Sequence, residues 1–290
     1  SFTAAVPTEK LDMLPKDPAV PSAWLAWVAA WATIGLGSIA SPDLMQRAFS
    51  AKTGKVARNS ALVAAAAYMV VFLIVIVLTA ATMQLIDLGT VDRSIIDNDP
   101  ELMIPLVFQS LMPGPLVVVF LGAVLAAVMS AAATANIALA GVVSKNLIKD
   151  VFFPDMTSHR LMQVTRVVIL IIGIIAIFIA IGLPSAYLLT ALGFDLILSC
   201  LFIPLTLGLY WEKANGWGAI AGLVSGALFR IGVAGMFKGF SIEGIGATDE
   251  IWYYFTLGGP LVSLVCMVAV SLLTQKIDKP IELEFEPDPS

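Results

Sequence analysis

Hydrophobic and polar residues alternate along the chain in long blocks, not at the two-residue period of a strand. Apolar stretches of about 20 residues, each long enough to cross a hydrocarbon core of about 30 Å, are separated by short polar segments. These blocks predict seven transmembrane helices, over about 22–46, 57–83, 115–144, 163–183, 186–210, 217–237 and 252–275. We therefore expect an all-α polytopic membrane protein.

Between the second and third spans, the segment DPELMIPLVFQSLMPG (99–114) is too short to cross the membrane and contains three prolines. Proline removes a helical hydrogen bond and usually ends or bends a helix. The segment predicts an interfacial helical hairpin or a lid.

The charges of the loops predict the orientation, because short cytoplasmic loops carry an excess of Lys and Arg. The loop after the first span contains Arg47, Lys52, Lys55 and Arg58 and no acid, whereas the loop after the second is acidic. In a plasma membrane this pattern places residue 1 outside and residue 290 in the cytoplasm. Gln46 and Arg47 would then lie at the inner mouth of any solute pathway.

The first span is interrupted by GLGSIASPD (35–43). Pro42 cannot donate to the helix, and glycines weaken it, so the pattern predicts an unwound segment late in the crossing. Transporters bind solutes at such breaks. Ser38 and Ser41 are therefore candidate substrate-binding residues, and Asp43 is either a third or the N-cap of the helix that follows.

A row of small and hydroxyl-bearing residues lies in the third span, where Ala127, Ser130, Ala131 and Thr134 follow the spacing of one helix face. In a bilayer such a face either packs closely against another helix or lines a cavity. The residues alone leave both interpretations open.

Two charged residues lie deep in apolar spans. Asp195 must pair, face a cavity or be protonated. It is therefore either an interhelical hydrogen-bonding group or a functional residue with a cation, proton or gating role, and we count it among the candidate substrate-binding residues. Arg230 lies roughly 20 Å along its span at 1.5 Å per residue, and we expect its side chain to extend to the outer interface.

The composition excludes several classes of function. The net charge of −5 is spread along the chain and indicates no nucleic-acid partner. Cys200 and Cys266 lie inside apolar spans, which favours small hydrophobic side chains over a disulfide or metal site. The sole histidine, His159, falls in a predicted loop, and no metal-ligand spacing occurs, so we do not expect an enzyme.

Three ordered motifs, SPDLMQRAFSAKT, GAVLAAVMSAAATANIALAGVVSKNLIKDVF and GWGAIAGLVSGALFRIG, resemble the sodium:solute symporter family. With DPELMIPLVFQSLMPG, they are most similar to its high-affinity choline transporter branch. The resemblance implies the leucine-transporter (LeuT) fold of two inverted five-helix repeats. It implies an extracellular segment (1–21), the second repeat (22–210), two peripheral helices (211–275) and a cytoplasmic tail (276–290), with the first repeat in a missing N-terminal half.

The resemblance also implies roles for single residues. Ala127 matches a backbone carbonyl ligand of the family's sodium site and Ser130 its first hydroxyl, whereas Ala131 stands where Ser or Thr is usual. Thr134 matches half of a further sodium site. Ser41 stands where the choline branch has a Trp of its aromatic cage.

The implied function is sodium-coupled secondary symport of a small organic solute by alternating access, with sodium ion, solute, lipid bilayer and the N-terminal half as partners. On this interpretation, residues 1–290 alone neither bind nor transport the solute. Two alternatives remain open: a solute-sensing membrane module on a symporter scaffold, and a proton-coupled symporter.

Overall fold

The computed structural model describes residues 14–15, 19–89, 100–183, 185–236 and 252–278. Within these ranges the regular elements are all helical, which confirms the predicted class. The helices are α1 (Pro21–Ile39), α2 (Pro42–Phe49), α3 (Gly54–Asp87), α4 (Met103–Leu111), α5 (Gly114–Val142), α6 (Ser158–Gly182), α7 (Ala186–Ile197), α8 (Ile203–Tyr210), α9 (Gly216–Met236) and α10 (Trp252–Thr274). A 3-10 turn (Pro100–Leu102) precedes α4, and π-helical segments follow α5 (Val143–Phe152) and α7 (Leu198–Phe202).

Six of the seven predicted spans correspond to helices that are long and apolar enough to cross a membrane. The sixth predicted span is α9, whose described apolar part, Gly216–Gly232, is shorter than these six. The most apolar windows of α3 and α5 contain no buried residue, as expected where apolar side chains contact lipid or further transmembrane helices. The protein is therefore a multi-pass membrane protein.

The chain forms two compact units. Among the described residues, unit 1 comprises 48–178 and unit 2 comprises 14–47 with 179–278. The predicted second repeat (22–210) and peripheral pair (211–275) remain predictions, since this division does not test them. Residues 1 and 290, most of the predicted terminal segments and the acids at 92, 97 and 99 lie outside the described residues.

In unit 1, α4 packs against α5. The rings of Phe108 and Phe120 stack with their centroids 3.7 Å apart and their planes 1° from parallel. The prediction of a hairpin is wrong, because the described part of this segment forms one 3-10 turn and one short helix. The alternative, a lid, remains a prediction. Pro105 is tolerated because it lies in the first turn of α4, where the helix does not use its missing N–H group.

In unit 2, α9 and α10 run antiparallel and approach closely through glycines. A methyl group at Gly222 would lie 3.0 Å from Cβ of Met267 and 3.2 Å from the carbonyl oxygen of Ser263. Gly218, one turn earlier, lies against the hydroxyl of Ser271. Glycines four residues apart let the backbones of membrane helices approach, which explains this pairing.

The side chain of Asn215 joins the start of α9 to the end of α10. Its Nδ2 group donates to the carbonyl oxygens of Ser271 (3.3 Å) and Asp278 (3.1 Å) and to Oγ1 of Thr274 (2.8 Å). Its Oδ1 accepts from the backbone N–H of Gly218 at 2.9 Å. One buried amide thus connects these helix ends.

Candidate ion and solute site

The break in the first span is confirmed, but it is shorter than predicted. Only Ala40 and Ser41 separate α1 from α2, and Gly35 and Gly37 lie inside regular α1. The expectation that these glycines unwind the helix was wrong, because their i to i−4 hydrogen bonds remain available. Pro42 starts α2, where its missing N–H group costs nothing.

The two serines at this break differ in environment. Ser38 is partly buried, and its hydroxyl donates to the carbonyl oxygen of Gly35 at 3.1 Å. Ser41 is only 5% exposed, its N–H donates to the carbonyl of Ser38, and its own carbonyl accepts from Met45 N–H, both at 3.1 Å. Asp43 lies in the first turn of α2, where a negative charge is favoured by the helix dipole.

Asp195 and Arg230 form a buried ion pair between α7 and α9. The Nε group of Arg230 donates to Oδ2 of Asp195, and the two residues are 8% and 5% exposed. The expectation that Arg230 reaches the outer interface was wrong, because a carboxylate on a neighbouring helix lies within its reach. The interhelical interpretation of Asp195 therefore describes its contact, while its substrate-binding role remains a prediction.

The π-helical turn after α7 is a point where three helices of unit 2 meet. Ser199 in this turn is fully buried. Its carbonyl oxygen lies against Gly226 of α9, and its hydroxyl lies against Gly259 of α10. π-Helical turns occur frequently at functional sites, and this one begins three residues after Asp195.

The candidate sodium residues lie in the middle of α5, in unit 1. Ala127, Ser130 and Ala131 are exposed and Thr134 is partly buried. The hydroxyl of Thr134 donates to the carbonyl oxygen of Ser130 at 2.9 Å, so its Oγ1 lone pairs can still accept a cation. The continuous helix places the row on one face, as predicted, and its role in sodium binding remains a prediction.

Gln46 and Arg47 are exposed near the end of α2. Arg47 lies in its last turn, where a positive charge is favoured by the helix dipole. Their assignment to the inner mouth remains a prediction.

The helix break and Asp195 thus both lie in unit 2, while the hydroxyl row lies in unit 1. Close contact between α1 and α7 occurs at Gly37, which lies against the carbonyl oxygen of Phe194, the residue before Asp195. Sequence reasoning missed this contact and the partner of Asp195. One feature of the sequence could have indicated the ion pair: a single acid and a single base each lie deep in an apolar span.

A family model comparison identifies the chain. The model of the sodium:solute symporter family matches residues 3–226, well over half of the chain. The chain belongs to the sodium:solute symporter family. The matched symporter segment includes the helix break, the hydroxyl row and Asp195, whereas Arg230 and α10 follow it.

Named symporter relatives differ in their solutes. The chain is 30% identical to high-affinity choline transporter 1 of Caenorhabditis elegans over 69% of this chain and 35% of that protein. It is 28% identical to an osmoregulated proline transporter of Bacillus subtilis over 62% of this chain and 35% of that protein. It is 34% identical to the sodium/pantothenate symporter of Escherichia coli over 38% of this chain and 23% of that protein. The chain thus spans about a third of the length of the first relatives.

Proposed function

We propose that the chain is the C-terminal half of a sodium-coupled secondary symporter that moves a small organic solute across the plasma membrane by alternating access. Membership of the sodium:solute symporter family carries this proposal. The break at Ala40–Ser41 supports it, because transporters form solute sites at discontinuous helices. The first inverted repeat would lie in the N-terminal half of the protein, and the chain would start outside and end in the cytoplasm.

In this proposal the sodium ion is bound partly by α5. The carbonyl of Ala127 and the hydroxyl of Ser130 supply two oxygens, and Thr134 supplies one to a second position. Hard cations require several oxygen ligands, so the remaining ligands come from the N-terminal half. Ala131 contributes no side-chain oxygen, which leaves the site one ligand short of the usual family set. Coupling requires that sodium bind more tightly to the solute-binding conformation.

The solute would bind beside the break in the first span. Ser38 and Ser41 offer hydroxyls there, and Asp195 lies on the neighbouring α7 with its charge balanced by Arg230. Ser41 replaces the aromatic cage residue of the choline branch, so the cation–π attraction that favours a quaternary ammonium group is reduced. We therefore propose a small polar organic solute other than choline, with Gln46 and Arg47 at the inner mouth of its pathway.

Uptake by the complete protein in liposomes tests this function. Radiolabelled choline, proline and pantothenate are supplied with an inward sodium gradient, and equal sodium on both sides is the control. We expect saturable uptake of a small polar solute that disappears when the gradient is collapsed. Uptake that follows a proton gradient and ignores sodium would refute the coupling ion. Solute binding without uptake under any gradient would favour the sensor module instead.

A further inference from the structure

Span five, which comprises α7, its π-helical turn and α8, is attached to α9 by a buried charge pair. Asp195 and Arg230 are both buried, and the carboxylate of one is in direct contact with the guanidinium of the other. The second carboxylate oxygen, Oδ1, has no hydrogen-bond partner among the described residues. A charge at this depth is retained only when it is paired, so each residue holds the other in place.

A second contact, one helical turn away, fixes how these two elements are aligned. Ser199 follows Asp195 by four residues, and its carbonyl oxygen lies against Gly226, which precedes Arg230 by four residues. The two contacts show that span five and α9 run antiparallel at this point. The glycine contact leaves no space for a methyl group, so the two backbones touch there. Sliding one helix along the other would separate both this contact and the charge pair.

The residue before Asp195 also brings α7 against α1, close to the break in the first span. The carbonyl oxygen of Phe194, next to Asp195, lies against Gly37 of α1. Two residues after Gly37, α1 ends at Ile39, and the buried Ser41 follows. The last turn of α1 therefore packs against α7.

We propose that Asp195 and Arg230 form a positioning pair that holds α7 at the depth where it supports the helix break, and that this pair controls access to Ser41. Arg230 lies beyond residues 3–226, so the group that fixes α7 comes from outside the segment that matches the family model. That access to Ser41 matters for solute transport rests on the proposed function. That the charge pair positions α7 and limits access to Ser41 does not.

The test is the accessibility of a cysteine at the break. Ser41→Cys is introduced into the complete protein, in a background without other reactive cysteines, and its labelling rate with N-ethylmaleimide is measured in membranes. The decisive variant is Asp195→Leu with Arg230→Leu, which removes the pair without leaving an unpaired charge, a replacement that folded proteins often tolerate. The matched control is Ser263→Ala, since Ser263 is a fully buried polar residue of α10 outside the pair.

We expect the double leucine variant to assemble with wild-type melting behaviour and its introduced thiol to be labelled several-fold faster, while Ser263→Ala leaves the labelling rate unchanged. An unchanged rate in an assembled double variant would overturn the proposal. If that variant does not assemble, Arg230→Lys supplies the test, because it keeps the charge and changes the geometry of the contact. Faster labelling in Arg230→Lys supports the proposal, and unchanged labelling overturns it. Labelling does not depend on uptake, so a wild-type protein that fails to transport refutes only the proposed function.

Discussion

Gly37 of α1 and the carbonyl oxygen of Phe194 of α7 are in direct contact, with no space for a methyl group between the two helices. Gly35 lies one half-turn earlier on the same helix, and a methyl group added there would meet nothing within 4 Å. The two glycines of the interrupted span therefore have different roles. Gly37 permits close approach of the backbones, and Gly35 leaves an open position.

Gly37→Ala should destabilise the complete protein, because its methyl group would collide with a backbone atom that cannot rotate away. Overpacking of this kind costs about 1–3 kcal/mol. The matched control is Gly35→Ala, which should be neutral or stabilising by up to about 1 kcal/mol, since Ala favours a helix over Gly. Melting temperatures in detergent compare the two, and equal values for both variants would contradict the assigned contact.

The sequence predicted the helices and the break well, because both depend on local chemistry. A run of about 20 apolar residues is long enough to cross a bilayer as a helix. Proline is favoured at the first position of a helix, which explains why α2 begins at Pro42. The extent of the break was overestimated for a related reason. Gly35 and Gly37 have weak helix propensity, but propensity is a small term, and both glycines remain helical within a long apolar helix.

The contacts of Asp195 and Arg230 could not be predicted from either residue alone. Considered alone, the buried acid could face a cavity, and the buried base could extend its side chain to the membrane interface. The contact that each side chain makes depends on the residue opposite it. The antiparallel packing of α9 on span five determines which residue that is. The hydroxyl row of α5 shows the same limit, since its spacing places the residues on one face without identifying what that face contacts.

Asn215→Ala should loosen the junction between α9 and α10. The substitution removes three donor contacts and the acceptor for the Gly218 N–H group, and leaves buried polar groups unpaired. We expect a loss of about 2–3 kcal/mol in stability. Lys213→Ala, two residues earlier and exposed, is the control and should leave the melting temperature unchanged. Equal stability of the two variants would show that the amide contacts contribute nothing.

Ser130→Ala should raise the sodium concentration that gives half-maximal uptake. If Ser130 supplies a ligand, its loss weakens sodium binding by about the free energy of one hydrogen bond. This corresponds to roughly a tenfold increase in the dissociation constant for sodium. Thr79→Ala is the control, because the Thr79 hydroxyl of α3 donates to the carbonyl of Val75 at 2.9 Å and belongs to no candidate site. Unchanged sodium dependence in the Ser130 variant would remove this residue from the ion path.

Ala131→Ser tests the same site in the direction of a gain. The family resemblance places a Ser or Thr hydroxyl at this position, next to Ser130 on the exposed face of α5. If the site is short of one oxygen, the new hydroxyl should lower the sodium concentration required for half-maximal uptake, because hard cations bind more tightly as oxygen ligands are added. Ala132→Ser, on the adjacent position of α5 and off this face, is the matched control and should have no effect. A wild-type protein whose uptake follows a proton gradient, and whose Ala131→Ser variant stays indifferent to sodium, would show that the missing hydroxyl accompanies a change of coupling ion.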